Sequence, residues 1–178
     1  MKKWKKIGLI LKPNPSLWWM QTHAMIPTPE QINGSLYRIY FSGRDSQNRS
    51  QIGYAMIDMR EPSRVLEICS EPVLSPGLLG CFDDNGVTPS CVVKNNEKIH
   101  LYYIGWNPGS TTRMNIFGGL AISEDNGKSF KRYSRAPILE RNRVNPYINT
   151  APFVVKNSES DWKVYYVSGT EWIHKDLP

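Results

Sequence analysis

Two neighbouring aspartates, Asp83 and Asp84, stand just ahead of Gly86, and a third carboxyl, Glu171, follows an aromatic run near the end of the sequence. Paired carboxyl groups can divide acid and base, or acid and nucleophile, work at a glycosidic bond. Each also has a plainer reading. Aspartate is common in turns before glycine, and a glutamate after a strand is often merely solvated. Arg44, Asp45 and Arg49 form a second group, Trp106, Asn107 and Arg113 a third, and Asn149 with Trp172 a fourth. Tryptophan faces stack on the apolar face of a pyranose, and Arg and Asn donate to its hydroxyls. Arg44 and Asp45 equally suit a local ion pair that pins a loop. His23 reads as a hydrogen-bonding lining residue rather than a base. Trp18 and Trp19 either close such a pocket or cap the core, and capping the core is the plainer reading.

These residues are brought together by a repeat. Tyr37-Arg-Ile-Tyr-Phe-Ser-Gly43, His100-Leu-Tyr-Tyr-Ile-Gly105 and Lys163-Val-Tyr-Tyr-Val-Ser-Gly169 are aromatic and β-branched runs whose closing glycines lie 62 and 64 residues apart. Pro27, Pro89 and Pro152 precede them at spacings of 62 and 63. Ile52-Gly-Tyr-Ala55 matches Gly118-Gly-Leu-Ala121, and Glu71-Pro-Val-Leu74 matches Ala136-Pro-Ile-Leu139. A period of this size marks a repeat architecture. Each unit reads as four short strands separated by turns such as Asn33-Gly34, Asn95-Asn96 and Asp125-Asn-Gly127. The predicted fold is therefore all-β, a β-propeller of four-stranded antiparallel blades, with unrelated meanders in a sandwich as the alternative. A first blade is expected over about 20–75, a second over about 83–140, and a third that begins near 146 and is incomplete, all in one partial domain over 1–178. A propeller needs at least four blades to close, so the chain is expected to be the N-terminal part of a longer protein, or else to close by association.

In an antiparallel blade the start of the first strand, the end of the second and the start of the third share one end. That rule gathers His23, Asp83, Asp84, Asn149 and the loops around Arg44, Arg49, Trp106, Arg113, Glu171, Trp172 and His174 on one rim. Ordinary turn residues fall at the other. Loops on a rigid scaffold commonly carry binding sites.

With 22 Lys and Arg against 16 Asp and Glu the formal charge is +6, part of it in Lys2, Lys3, Lys5 and Lys6. No basic stripe follows, so no nucleic-acid partner is expected. The apolar run Ile7–Leu11 is too short for a secretory signal, no stretch approaches a bilayer span, and no membrane partner is expected. Cys69, Cys81 and Cys91 have neither disulfide nor metal-ligand arithmetic and read as free thiols in a cytoplasmic protein. No His, Asp or Glu set shows ligand spacing, so neither metal nor other cofactor is expected.

Arg38-Ile-Tyr-Phe-Ser-Gly-Arg-Asp45 with Ile52-Gly-Tyr-Ala55, Phe82-Asp-Asp-Asn-Gly-Val-Thr-Pro-Ser90, Leu101-Tyr-Tyr103 and Asn149-Thr-Ala-Pro-Phe153 resemble the five-bladed propeller glycosidases, the superfamily of glycoside hydrolase families 32, 43, 62, 68 and 130. The resemblance implies a funnel at the propeller axis, acidic residues on the inner strands, and action on an oligosaccharide or polysaccharide. Asp83, Asp84 and Glu171 are the candidate catalytic residues. His23, Arg44, Asp45, Arg49, Trp106, Asn107, Arg113, Asn149 and Trp172 are the candidate substrate-binding residues. The aspartate that the hydrolase families place at the first inner strand is replaced by Gln21-Thr-His-Ala-Met25. In family 130 phosphate takes the place of water, and Arg44, Arg49, Arg113 and His23 suit that role, so phosphorolysis stands beside hydrolysis. A carbohydrate-binding propeller without catalysis is the alternative. Ser123-Glu-Asp-Asn-Gly-Lys-Ser-Phe130 is similar to the Asp box of sialidases, a turn device on the far side of a blade.

Overall fold

The computed structural model describes residue 3 and residues 6–173. Ten strands and no helix make up its regular structure: β1 (Thr22–Asn33), β2 (Leu36–Arg44), β3 (Ser50–Asp58), β4 (Val65–Ile68), β5 (Gly86–Asn95), β6 (Lys98–Pro108), β7 (Met114–Ser123), β8 (Lys131–Arg132), β9 (Ile148–Lys156) and β10 (Trp162–Gly169). β1 to β4 form one antiparallel meander, β5 to β8 a second, and β9 with β10 a hairpin. Neighbouring units join by single parallel bridges, Ser50 to Gly86 and Phe117 to Asn149.

Ala55 and Ala121 occupy the same place in the two complete units. Ala55 lies on the third strand between Ile39 and Ile68, and Ala121 on the third strand between Leu101 and Arg132. The bridges Ile52 to Leu74 and Gly118 to Leu139 also correspond. The repeat in the sequence is thus a repeat in space.

Strand alternation builds the cores. Successive side chains leave a strand on opposite faces, so Tyr40 packs with Val87, Leu101, Tyr103 and Phe130 of the second unit, while Phe41 turns to Trp19, Met20 and Cys69. Tyr103 faces the first unit in the same way, and Tyr102 faces Cys91 and Val154. Trp19 is fully buried beneath Gly53, where a side chain on the glycine would overlap the indole. Trp18 stays exposed and donates from Nε1 to Glu71 at 2.9 Å.

The two units are clamped at the end away from the predicted rim. Arg38 is buried, pairs with Glu30 at 3.2 Å, and donates to the carbonyl of Asn126 at 2.6 Å. The Tyr40 hydroxyl donates to Glu30 at 3.0 Å and lies 3.2 Å from the carbonyl of Gly127. Asn126 and Gly127 belong to the turn that resembles an Asp box. Burial pushes the Asp125 carboxyl up there, but hydrogen bonds from Ser123, from the Ser129 hydroxyl and amide and from the Lys128 amide outweigh it, leaving the group well below the usual range. The turn therefore serves as a joint between units as well as a reversal of the chain.

Candidate functional site

The strand pairings trace a continuous rim. Thr22 faces Arg44, Arg44 faces Ser50, Ser50 bridges to Gly86, Gly86 faces Trp106, Trp106 faces Ile116, the adjoining Phe117 bridges to Asn149, and the adjoining Ile148 faces Gly169. His23, the Arg44–Arg49 loop, Trp106, Asn107, Arg113, Asn149, Glu171 and Trp172 all lie at or beside that line. His174 lies outside the described residues.

Arg44 and Trp106 meet across the boundary between the first two units. The guanidinium carbon sits 5.6 Å from the indole ring centre, within cation–π range. An Nη of Arg44 donates to the Asn48 side chain at 2.8 Å, and its buried Nε has no partner. Trp106 in turn rests on Gly86, where any side chain would overlap the indole. The result is a half-buried cationic and aromatic pair at the rim.

The neighbouring Asp45 is committed to its own loop. It accepts from the amides of Gln47 and Arg49 at 3.0 and 2.9 Å, from Arg49 Nε at 3.0 Å and from Gln51 at 3.0 Å. Asp45 is 5% exposed. Its carboxylate sets the shape of the loop that presents Arg44 and Arg49.

Asp83 is fully buried. One of its oxygens accepts from the Tyr103 hydroxyl at 2.9 Å and from Arg132 Nε at 2.7 Å, and the other has no partner and lies against Gly77. Arg132 also reaches the carbonyl of Ser75 at 2.5 Å. Burial, with the Asp83 charge next, pushes the Tyr103 phenol far above its ordinary value. The cluster ties the start of β5 to β6, to β8 and to the segment after Leu74. Asp84 is half-buried and accepts from the amide of Gly80 at 2.8 Å. Of the three carboxyl groups singled out from the sequence, only Glu171 is exposed, and it makes no such fold-holding contact among the described residues.

Asn149 is also buried, and its side-chain amide donates to the carbonyl of Glu140 at 2.7 Å, fastening the loop ahead of β9. Asn107 donates to the carbonyl of Cys81 at 3.3 Å and accepts from Asn115 at 3.2 Å. His23 is exposed, with its Nδ1 3.0 Å from the Thr22 hydroxyl. Arg113 and Trp172 are exposed. Tyr103 and Arg132 were not legible as partners of Asp83, since Arg132 is 49 residues away along the chain. Among the described residues no group of three His, Cys, Asp or Glu side chains is placed to hold a metal ion. No helix among them is long and apolar enough to cross a membrane.

Solved structures share this fold. A family 32 β-fructofuranosidase of Bombyx mori, in complex with sucrose, superposes with a TM-score of 0.60 at 18% identity, over 88% of this chain and 33% of that one. A family 117 glycoside hydrolase of Zobellia galactanivorans gives 0.56 at 17% identity, over 88% and 46%. The chain has the fold of the β-propeller glycosidases. In sequence it is 39% identical over 169 residues to an uncharacterized protein of Mycobacterium tuberculosis, covering 95% of this chain and 56% of the relative. A 1,2-beta-oligomannan phosphorylase of Thermoanaerobacter is 27% identical over 110 residues, 59% of this chain and 36% of the relative. A beta-1,2-mannobiose phosphorylase of the same strain is 28% identical over 98 residues, 52% of this chain and 32% of the relative. This propeller chain spans about half the length of the mycobacterial relative. No family model matches it.

Proposed function

We propose that this propeller takes an oligosaccharide on the rim that carries Arg44 and Trp106 and cleaves it by phosphorolysis. The Arg44–Trp106 surface is the observation that carries the reading. An indole face suits the C–H face of a pyranose, and an arginine with donors to spare suits an oxyanion. Arg49, Arg113 and His23 add positive charge or donors along the same rim. The two phosphorylases similar to this chain act on β-1,2-linked mannose, which makes such manno-oligosaccharides the first substrates to test.

In this reaction a phosphate oxygen forms a bond to the anomeric carbon while the glycosidic oxygen leaves with its electron pair and takes a proton. The products are a sugar 1-phosphate and a shortened oligosaccharide. Glu171 is the candidate carboxyl with freedom to deliver that proton, Asp84 is the next, and Asp83 holds the fold.

A binding-only propeller is the second reading, favoured by the structural employment of Asp45, Asp83 and Asp84. One assay separates the two. The intact protein is incubated with β-1,2-linked mannobiose and longer oligomers, with and without inorganic phosphate, and sugar 1-phosphate is measured. Phosphate-dependent release that falls by about tenfold or more in Arg44→Ala supports phosphorolysis. Release of free sugar without phosphate indicates hydrolysis, and tight binding without products indicates the binding module.

A further inference from the structure

Two residues on the first strands of their units hold a backbone conformation that their side chains oppose. Ile26 on β1 has φ +55° and Ala151 on β9 has φ +51°. Left-handed φ is uncommon for any residue but glycine, and for a β-branched residue it is an outlier. Each also stands directly before a proline, Pro27 or Pro152, which ordinarily holds the preceding residue in extended backbone. His23, three residues ahead of Ile26, is left-handed as well, at φ +68°.

Both positions are β-bulges. Met25 faces Ser42 and Thr28 faces Tyr40, so Ile26 and Pro27 together oppose Phe41. Thr150 faces Val167 and Phe153 faces Tyr165, so Ala151 and Pro152 together oppose Tyr166. A bulge re-aims the side chains around it. The equivalent strand β5 also shifts register, between Pro89 and Cys91, yet it holds no left-handed residue. The bulge alone therefore does not demand the strain. Burial does not repay it at Ile26 either, because that residue is 47% exposed. Strain that neither topology nor packing requires is characteristic of positions kept for contact with a ligand.

We propose that the strained run His23–Pro27 is a sugar-contact subsite, with Ile26 against the apolar C–H face of a pyranose and His23 toward its hydroxyls. The proposal rests on the carbohydrate reading above and assigns a specificity-determining residue to it. Among the apolar residues of this run Ile26 is the one that is both exposed and left-handed, and β1 begins beside Arg44, so one sugar ring can lie along the strand while a neighbouring group reaches the Arg44–Trp106 surface.

The test titrates the intact protein calorimetrically with β-1,2-linked mannobiose and mannotriose, and measures Tm, for the parent, Ile26→Gly and Ile26→Val. Glycine adopts left-handed φ freely. Ile26→Gly should therefore keep or raise the Tm while weakening sugar binding about fivefold or more, the effect expected from losing one apolar contact. Ile26→Val keeps both contact and strain and should bind within about twofold of the parent. Undiminished affinity in Ile26→Gly overturns the proposal. A Tm lower by several degrees also overturns it, because packing rather than function would then account for the strained isoleucine. If the parent itself takes up no sugar, the carbohydrate reading falls and this proposal falls with it, an outcome that the parent titration identifies before any variant is compared.

Discussion

Replacing Asp83 with Asn should unfold this propeller more easily rather than merely silence it. The carboxylate is fully buried and faces Arg132 Nε at 2.7 Å, with the Arg132 side chain 22% exposed. Asparagine keeps an oxygen for the Tyr103 hydroxyl but removes the charge opposite the guanidinium. Breaking a buried ion pair from one side costs about 3–5 kcal/mol, because the remaining charge stays desolvated. Arg132 is partly solvated and keeps its bond to Ser75, so the lower end, about 3 kcal/mol, is expected. For a domain of this size that is a fall in Tm of roughly 6–12 °C. Denaturant or thermal melts of Asp83→Asn, Arg132→Met and the double variant would measure it. The double variant should lose less than the sum of the singles, since the two side chains share one interaction. An Asp83→Asn protein that melts with the parent yet loses turnover a hundredfold would refute this reasoning and make Asp83 a reacting group.

Gly127→Ala should destabilise the joint between the first two units by about 1–3 kcal/mol, since φ there is +80° and the new methyl would overlap the Arg38 guanidinium and the Tyr40 hydroxyl; an unchanged denaturation midpoint would count against the clamp. Burial, then the charges of Lys98 and Lys156, lower the His100 pKa, so the unfolded chain binds a proton more readily than the folded one. Stability from this group is full above about pH 6.5 and declines as the pH falls below it, with a slope under the one-proton limit of about 1.4 kcal/mol per pH unit; His100→Gln should flatten that limb of the pH–stability curve, and an unaltered limb would exclude His100 as its source. Burial pushes the Cys69 thiol up to about 11, and Cys91 is buried as well, whereas Cys81 is half-buried. Iodoacetamide should label Cys81 first in the folded protein, and equal rates at all three, read by mass spectrometry, would contradict the packing.

Much of the architecture is written locally. Strand residues alternate with a period of two, so Tyr40-Phe41 and Tyr102-Tyr103 each announce a strand with a core on both sides, and the spacing of Gly43, Gly105 and Gly169 sets the repeat. Antiparallel order then assigns His23, Arg44 and Trp106 to one end before any contact is known. The employment of the carboxylates was beyond that reading. Nothing local distinguishes Asp83 from Asp84, yet one is sealed against Tyr103 and Arg132 and the other accepts a turn amide at Gly80. The stacking of Arg44 on Trp106 likewise joins residues from two units. Secondary structure depends on neighbours in the chain, whereas the burial of a charge depends on which distant side chain arrives to pair with it. Pro27 and Pro152 were legible as landmarks of the repeat, but a left-handed residue before a proline runs against local preference, and only the paired strands show it, at the bulges that face Phe41 and Tyr166.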